Sequence, residues 1–337
     1  MGSYLITGGA GFIGSHLAER LLRDGHRVLV LDDLSTGSLE NLETACLSDR
    51  FQFVNGSVSN DHVVREMVDA VDTVFHLAAT VGVLKIMEKP AETIANNIRG
   101  AEIVLESARR GKKKVVVTST SEVYGKTASV PFREDGDMVL GSSYFVRWGY
   151  AASKVLDEFL ARAYFQEHGV PTIVVRPFNT IGPRQVGTYG MVVPRLMEQA
   201  LRGEELTVYG DGGQTRCFTY VADTVEWLYR LTQKDAAVGE VFNLGNPHEI
   251  SIRGLAERIV RITGSRSRIR FIPYAEAYQP GFEDMGRRVP CNEKVLGMTG
   301  HAPSCDLDAA LHHIHQWLAP RHKNVQAARA IAQEVSL

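Results

Sequence analysis

The sequence has no apolar stretch long enough to cross a membrane as a helix, so no membrane association is expected. It has no excess of either charge: 37 Lys and Arg stand against 39 Asp and Glu, a formal net charge of −2. A general electrostatic hold on nucleic acid is therefore not expected, and any phosphate must be met by local basic residues. Cysteine is scarce. Cys46, Cys217, Cys291 and Cys305 are far apart and show no metal-ligand spacing, so no metal site is expected. They read as reduced, mostly structural thiols, which points to the cytoplasm. The first residues lack the basic region and apolar core of a signal peptide; Tyr4–Ile6 is a short apolar run that Gly8 interrupts, and it reads as a strand. There is no internal repeat and no low-complexity segment.

What is present is globular. With 337 residues, 44% of them hydrophobic, the chain can bury one large core or two lobes. The first half alternates short β-rich runs with helical patterns. Strands are predicted at Tyr4–Thr7, Val28–Leu31, Phe51–Asn55, Thr73–Leu77, Lys114–Ser119 and Thr172–Arg176. Helices are predicted over Gly14–Asp24, about Glu92–Arg110, and from near Tyr150. Strands alternating with helices argue for an α/β fold with a doubly wound parallel sheet of the Rossmann type. Strands that are apolar throughout fit a sheet covered on both faces.

After Pro177 the pattern loosens, and turn signals cluster at Gly182-Pro183 and Gly210–Gly213. A helix at Pro194–Arg202, a strand at Leu206–Tyr209, and helices at Ile252–Thr263 and Asp308–Trp317 suggest a smaller, partly helical substrate-binding lobe. A helix from Val221 and the strand Val241–Leu244 are expected to return to the first sheet. The expected division is 1–178 with 219–247 for the dinucleotide-binding domain, 179–218 with 248–320 for the lobe, and a fraying tail at 321–337.

Thr7–Gly14 reads TGGAGFIG, between the first strand and the first helix. Gly8 permits the tight turn, Gly11 lets a pyrophosphate approach the backbone, and Gly14 lets helix and strand pack closely. Free N–H groups at the helix start then face the phosphates. Asp32 and Asp33 end the second strand about 20 residues on, where a carboxylate accepts hydrogen bonds from ribose hydroxyls. A carboxylate there repels a 2′-phosphate, so NAD is favoured over NADP as cofactor.

Tyr150-Ala-Ala-Ser-Lys154 puts a phenol and an ammonium on one helix face. The positive charge is expected to lower the Tyr150 pKa and make the phenol a usable base. The strand Lys114–Ser119 runs into Thr120-Ser121-Glu122, which delivers hydroxyls to the carboxyl edge of the sheet, where such folds bind ligands.

As a set, TGGAGFIGSHL, HLAA (His76–Ala79), TSTSEVYG (Thr118–Gly125), YAASK and RPFNTIGPR (Arg176–Arg184) resemble the extended short-chain dehydrogenase/reductase superfamily. More narrowly they resemble its NAD-dependent nucleotide-sugar epimerases, dehydratases and decarboxylases, in order from Ser3 to about Leu318. The resemblance implies that Tyr150 is the base, Lys154 grips the nicotinamide ribose, and Thr120 hydrogen-bonds the sugar. It implies cofactor contacts from Gly8, Gly11, Phe12, Ile13, Gly14, Asp32, Asp33, Ser57, Val58, Leu77, Ala78, Ala79, Asn97 and Pro177. Position 57 is Ser where many relatives carry an aspartate. His76 is expected to pack rather than catalyse.

The same resemblance implies substrate contacts from Ser121, Asn179, Val193, Arg195, Thr207, Tyr209, Arg216 and Arg288. Asn179 and Arg216 match residues that meet the diphosphate, which suits the planar, always-charged guanidinium. Leu206–Tyr209 matches a strand that flanks the base, with uracil the first expectation and thymine the second. Thr120-Ser121-Glu122 is the sharper clue: 4,6-dehydratases of the family have Thr-Asp-Glu, and many simple 4-epimerases lack the Glu. Thr-Ser-Glu resembles the UDP-glucuronate decarboxylases of the UDP-xylose synthase type. Arg147-Trp148-Gly149-Tyr150 resembles the 4-keto-forming decarboxylases and the apiose/xylose synthases. Arg287-Arg288-Val289-Pro290 resembles the segment supplying their active-site arginine, and spacing to Pro290 favours Arg288. The loop Thr80–Lys85 departs from those decarboxylases. Glu122 also suits a carboxylate capping local backbone, and Arg288 an ion pair between lobes.

The expected function is decarboxylation of UDP-glucuronate through a 4-keto intermediate, with Thr120, Glu122, Tyr150, Lys154 and Arg288 as catalytic residues. The product is UDP-xylose or its 4-keto form. The alternatives are 4-epimerisation of a UDP-sugar or UDP-uronate, and a non-catalytic dinucleotide sensor on the same fold. Relatives pair through two long helices, so a homodimer is expected.

Overall fold

The computed structural model describes residues 1–79, 88–187, 190–277 and 285–334, the side chains as far as residue 322. In chain order the first half contains β1 (Ser3–Thr7), α1 (Phe12–Arg23), β2 (Arg27–Asp32), β3 (Phe51–Asn55), α2 (Asp61–Asp69), β4 (Thr73–His76), α3 (Pro90–Gly111), β5 (Lys114–Thr118), α4 (Arg147–His168) and β6 (Thr172–Pro177). The second half contains β7 (Thr180–Ile181), α5 (Val192–Arg202), β8 (Leu206–Tyr209), β9 (Thr215–Cys217), β10 (Thr219–Tyr220), α6 (Val221–Thr232), β11 (Val241–Leu244), β12 (Glu249–Ser251), α7 (Ile252–Thr263), β13 (Ile269–Ile272), α8 (Tyr274–Ala277), α9 (Glu293–Thr299) and α10 (Leu307–Glu334).

Seven parallel strands form the main sheet in the order β11-β6-β5-β4-β1-β2-β3. The strand order reverses between β1 and β4, and a crevice opens there at the carboxyl ends. The strands are apolar because both faces are covered. Ile6, Val28, Val30, Val116 and Val175 pack with Leu17 and Leu21 of α1 and Trp227 and Leu228 of α6. On the other face Leu5, Leu29, Val74, Val115 and Val117 pack with Val64 of α2, Val104 of α3 and Ala161 of α4. Helix α4 stops where Gly169 takes a left-handed conformation, φ +65°, which favours glycine.

A separate apolar cluster joins Val193 and Leu196 of α5, Val208 of β8, Leu255 and Ile259 of α7, and Leu311 and Ile314 of α10. Three two-stranded pairings, β7 with β10, β9 with β12 and β8 with β13, frame it. As expected, β11 returns to the main sheet, beside β6. Two readings change. Helix α9 falls in the segment assigned to the lobe, yet its Val295 packs into the main core. The segment assigned to the tail continues a helix: α10 runs through Pro320 to Glu334. Helix α2, not assigned from the sequence, is short and is capped by Asn60, whose side chain accepts from the Val63 N–H.

Candidate active site

One cavity of about 700 Å³ spans the crevice and the lobe. At its dinucleotide end, Gly8 has φ +72°, and a Cβ on it would come within 2.8 Å of the Ala78 backbone. A Cβ on Gly14 would collide with the Gly8 carbonyl, so the loop closes on itself only as glycine. Gly11 caps α1 without a side-chain bond, and the first turn carries no acidic residue. That leaves backbone N–H groups and the positive end of the helix dipole for a pyrophosphate. Asp32 accepts from the N–H of Ala10 at 3.0 Å and of Leu34 at 2.8 Å. Burial raises its pKa against those bonds. Asp33 accepts from the Ser35 N–H at 2.9 Å. Phe12, Ile13, Ser57, Val58, Leu77, Ala79, Asn97 and Pro177 complete this part of the wall. The glycine cradle, the open helix start and the carboxylate at the end of β2 together fit NAD.

His76 is buried, its Nδ1 hydrogen-bonded at 2.9 Å to the Thr7 hydroxyl, which also accepts from the Ala78 N–H. Burial, and secondarily the Lys154 charge, pull its pKa down to about 3. It is a neutral packing residue that ties β1 to β4, as the sequence suggested.

At the sheet's centre, β5 ends and the chain turns through a 3-10 segment, Ser121–Tyr124, capped by the Thr120 hydroxyl. The turn is anchored from behind. The Ser119 hydroxyl donates to Glu158 at 2.5 Å, Glu158 takes two bonds from Arg176 at 2.9 and 2.7 Å, and Arg176 donates to the Tyr124 hydroxyl at 2.8 Å. This buried, satisfied network is a physical reason for the TSTSEVYG and RPFN segments. Helix α4 brings Tyr150 and Lys154 to the cavity wall beside Thr120, Ser121 and Glu122. Tyr150 hydrogen-bonds Thr120. Asn97 donates to Ser153 at 3.3 Å and locks α3 to α4.

The expected lowering of the Tyr150 pKa is not found. Burial raises it, and the Glu122 and Asp157 charges raise it further. Burial is the first reason and the Glu122 charge the second; the Lys154 ammonium, meanwhile, donates to Asp157 at 2.9 Å, a carboxylate on its own helix.

Glu122 is held between two arginines. Its Oε2 accepts from Arg147 at 2.8 Å and its Oε1 pairs with Arg288 at 2.6 Å. Burial alone would raise its pKa; the charges of Arg288 and Arg147 outweigh burial and bring it down to about 2. It therefore stays ionised, and the cluster carries one net positive charge. Arg287 turns away to Glu249, at 2.6 Å, so of the adjacent arginines Arg288 is the one at the cavity. The importance of Arg147 was not read from the sequence beyond its motif. A signal existed: it lies three residues before Tyr150, on the same helix face.

At the lobe end, Asn179 donates to the Cys217 carbonyl at 2.8 Å and Arg216 to those of Thr215, 2.8 Å, and Gly286, 3.3 Å. Both line the cavity with Val193 and Tyr209. The Arg195 guanidinium lies over the Tyr209 ring, 4.5 Å from its centre. Thr207 corrects an expectation: it is not on the cavity wall, because its carbonyl and hydroxyl are turned to Arg195 and Gln199. Phe218, Ile252, Tyr274 and Trp317 also line this end and were not singled out in the sequence. The loop Thr80–Lys85 lies outside the described residues. Among the described residues no His, Cys, Asp and Glu group could hold a metal ion, and no helix is long and apolar enough to cross a membrane.

Comparison with known proteins agrees with this geometry. Residues 4–245 match the model of the NAD dependent epimerase/dehydratase family. The chain is 42% identical over 315 residues to a UDP-N-acetyl-alpha-D-glucosaminuronate decarboxylase of Bacillus cytotoxicus, covering 93% of this chain and 96% of that one. It is 36% identical to UDP-glucuronic acid decarboxylase 1 of Danio rerio, covering 94% of this chain and 72% of the relative. In three dimensions it is similar to UDP-glucuronic acid 4-epimerase from Bacillus cereus, solved with UDP-glucuronic acid and NAD. The TM-score is 0.84 at 28% identity, covering 94% of this chain and 98% of that chain.

Proposed function

Because the chain belongs to the NAD-dependent epimerase/dehydratase family, we propose that it decarboxylates UDP-glucuronate through a 4-keto intermediate. The observation that carries the reading is the Arg147–Glu122–Arg288 cluster beside Tyr150 and Thr120. One surplus positive charge on a cluster of buried side chains matches the single carboxylate of a uronic acid, and a neutral hexose has no charge to offset it. UDP-xylose or its 4-keto form is the product.

NAD, when bound, supplies a hydride acceptor for C4 of the sugar and can return the hydride. The chain's residues do the rest. Burial raises the pKa of Tyr150, which is hydrogen-bonded to Thr120. Its phenolate, favoured by the positive charge of a bound nicotinamide, takes the proton of the C4 hydroxyl as the ketone forms. The ketone is β to the C5 carboxylate, so carbon dioxide leaves as an enolate develops on the C4 oxygen. Tyr150, now protonated, and Thr120 stabilise that oxyanion. Glu122 is ionised and already doubly bonded, so it is no proton donor; it orients Arg147 and Arg288 around the ring. Arg288 is assigned to the sugar and to reprotonation of the enolate. Lys154 and Asn97 hold the nicotinamide end. Asn179 and Arg216 are assigned to the diphosphate, and Val193, Arg195 and Tyr209 to a uracil base.

Two readings share this geometry. The 42% relative acts on the 2-acetamido uronate, which favours that sugar as a second substrate. The B. cereus structure favours 4-epimerisation of the uronate. The test is release of labelled carbon dioxide from UDP-glucuronate and UDP-N-acetylglucosaminuronate, with products identified by NMR. UDP-galacturonate with no carbon dioxide would replace decarboxylation by epimerisation. We assign the chain to the cytoplasm, on its unpaired thiols. We also assign it a homodimer through α3 and α4, because α4 leaves Leu156 and Phe159 exposed one turn apart.

A further inference from the structure

Lys154 and Asp157 stand one turn apart on α4 and face the same way. The ammonium donates to Oδ2 at 2.9 Å, and both side chains are buried, 2% and 0% exposed. Oδ1 of Asp157 is buried without a hydrogen-bond partner. A half-satisfied buried carboxylate is costly, and an apolar side chain would pack α4 without that cost. The YAASK segment ends at Lys154, so the role assigned to that segment does not include Asp157.

The charged and titratable groups around this pair are otherwise accounted for. On α4 itself Glu158 is taken by Arg176 of β6. Glu122, from the turn after β5, is taken by Arg147 and Arg288. His76 of β4 is neutral, and Asn97 of α3 is bonded to Ser153. Asp157 is the one carboxylate among the described residues bonded to Lys154. Its charge is among those that raise the Tyr150 pKa.

We propose that Asp157 is a positioning residue for the nicotinamide end of the site: it holds the Lys154 ammonium inward, screens it from Tyr150, and favours the oxidised, cationic nicotinamide over the neutral reduced one. The proposal rests on the reading that Tyr150 and Lys154 work beside NAD. In the oxidation step a hydride leaves C4 for the nicotinamide and a proton leaves O4 for the Tyr150 phenolate. A buried negative charge bonded to Lys154 and felt at Tyr150 opposes both halves of that step: it holds the phenol protonated and, by offsetting the ammonium, favours the cationic nicotinamide. Asp157 thereby limits the build-up of reduced cofactor and favours return of the hydride.

The test compares Kd for NAD+ and NADH by calorimetry in the wild type, Asp157→Asn and Asp157→Ser, with no sugar present. In the wild type NAD+ binds more tightly than NADH. In each variant the ratio moves toward NADH by about tenfold, the low end for one unit charge at a few ångströms. The acid limb of kcat/KM against pH moves down by about one pH unit in the same variants, as Lys154 acts unscreened on Tyr150. Asp157→Glu retains the wild-type ratio. A purely structural carboxylate would change melting temperature and leave the ratio unmoved, and that result in a folded variant overturns the proposal. So does equal or reversed affinity in the wild type, even where neither variant folds. Because the binding arm uses no sugar, it stands or falls apart from the assignment of the substrate.

Discussion

Arg288, on a loop late in the chain, pairs with Glu122 at 2.6 Å, and so joins the last third of the sequence to the turn that follows β5. Arg147 holds the other oxygen of the same carboxylate. Removing any member leaves the other charges mismatched. Glu122→Gln and Arg288→Ala are each expected to slow carbon dioxide release from UDP-glucuronate at least roughly 10²-fold, and Arg147→Ala similarly. Labelled carbon dioxide gives the rate, and NAD binding with circular dichroism shows that the variants are folded. Wild-type release rates in the folded variants would separate the cluster from the chemistry.

Tyr150→Phe removes one oxygen from the cavity wall. The phenol is assigned a task in the transition state, so kcat is expected to fall by at least about 10³-fold while Kd for UDP-glucuronate changes by less than about threefold. Single-turnover absorbance of reduced cofactor measures the first and calorimetry the second. Turnover near that of the wild type would take Tyr150 out of the mechanism.

Asp32 stands at the end of β2 with its oxygens turned to the N–H groups of Ala10 and Leu34. An added 2′-phosphate would approach a buried like charge. NAD is expected to bind more tightly than NADP, and Asp32→Ser is expected to narrow the gap. Calorimetry with both cofactors decides it, and tighter NADP binding by the wild type would reverse the assignment.

Much of this site was legible because its determinants are local. The glycine loop, the Asp at the end of β2, and the Tyr–Lys spacing are each set within one turn or one strand, so residue type and spacing suffice. Arg288 was legible only by resemblance, since no local pattern tells it from Arg287; the structure separates them by sending Arg287 to Glu249. The ionisation of Tyr150 was misread for the converse reason. Spacing shows that Lys154 shares its face, but not how deeply the phenol is buried, nor that Glu122 lies close enough to act on it. Thr207 was misplaced because it shares a face of β8 with Tyr209, which does line the cavity; only the structure shows that Arg195 and Gln199 take its carbonyl and hydroxyl and cover it.

Leu156 and Phe159 are 47% and 64% exposed on the outer face of α4. Large apolar side chains on one exposed helix face commonly mark an interface, and a two-fold pair is the commonest closed assembly. Light scattering at micromolar concentration is expected to give the mass of a dimer, and Phe159→Asp to shift it toward monomer. A wild type that is monomeric throughout would contradict the assignment.

The last prediction concerns acid. The Glu122 carboxyl sits at about 2 in the folded chain against an ordinary 4.5. A depressed folded value means that the ionised form is bound more tightly when folded, so the contribution to stability is complete above about 4.5. It is lost as pH falls toward 2. Glu122→Gln leaves two buried guanidiniums without a counter-charge and is expected to cost about 3 kcal/mol at pH 7. That difference should narrow steadily between pH 5 and pH 3, because the wild type loses the contribution and the variant never had it. Chemical denaturation of both proteins at each pH measures it. A gap that stays constant down to pH 3 would mean that Glu122 is no more easily ionised when folded than when unfolded. The same logic bears on activity: with Glu122 ionised throughout the neutral range, an acid limb of kcat/KM near neutrality belongs to Tyr150, and Glu122→Gln should lower the plateau and move that limb to lower pH, because the Glu122 charge raises the Tyr150 pKa.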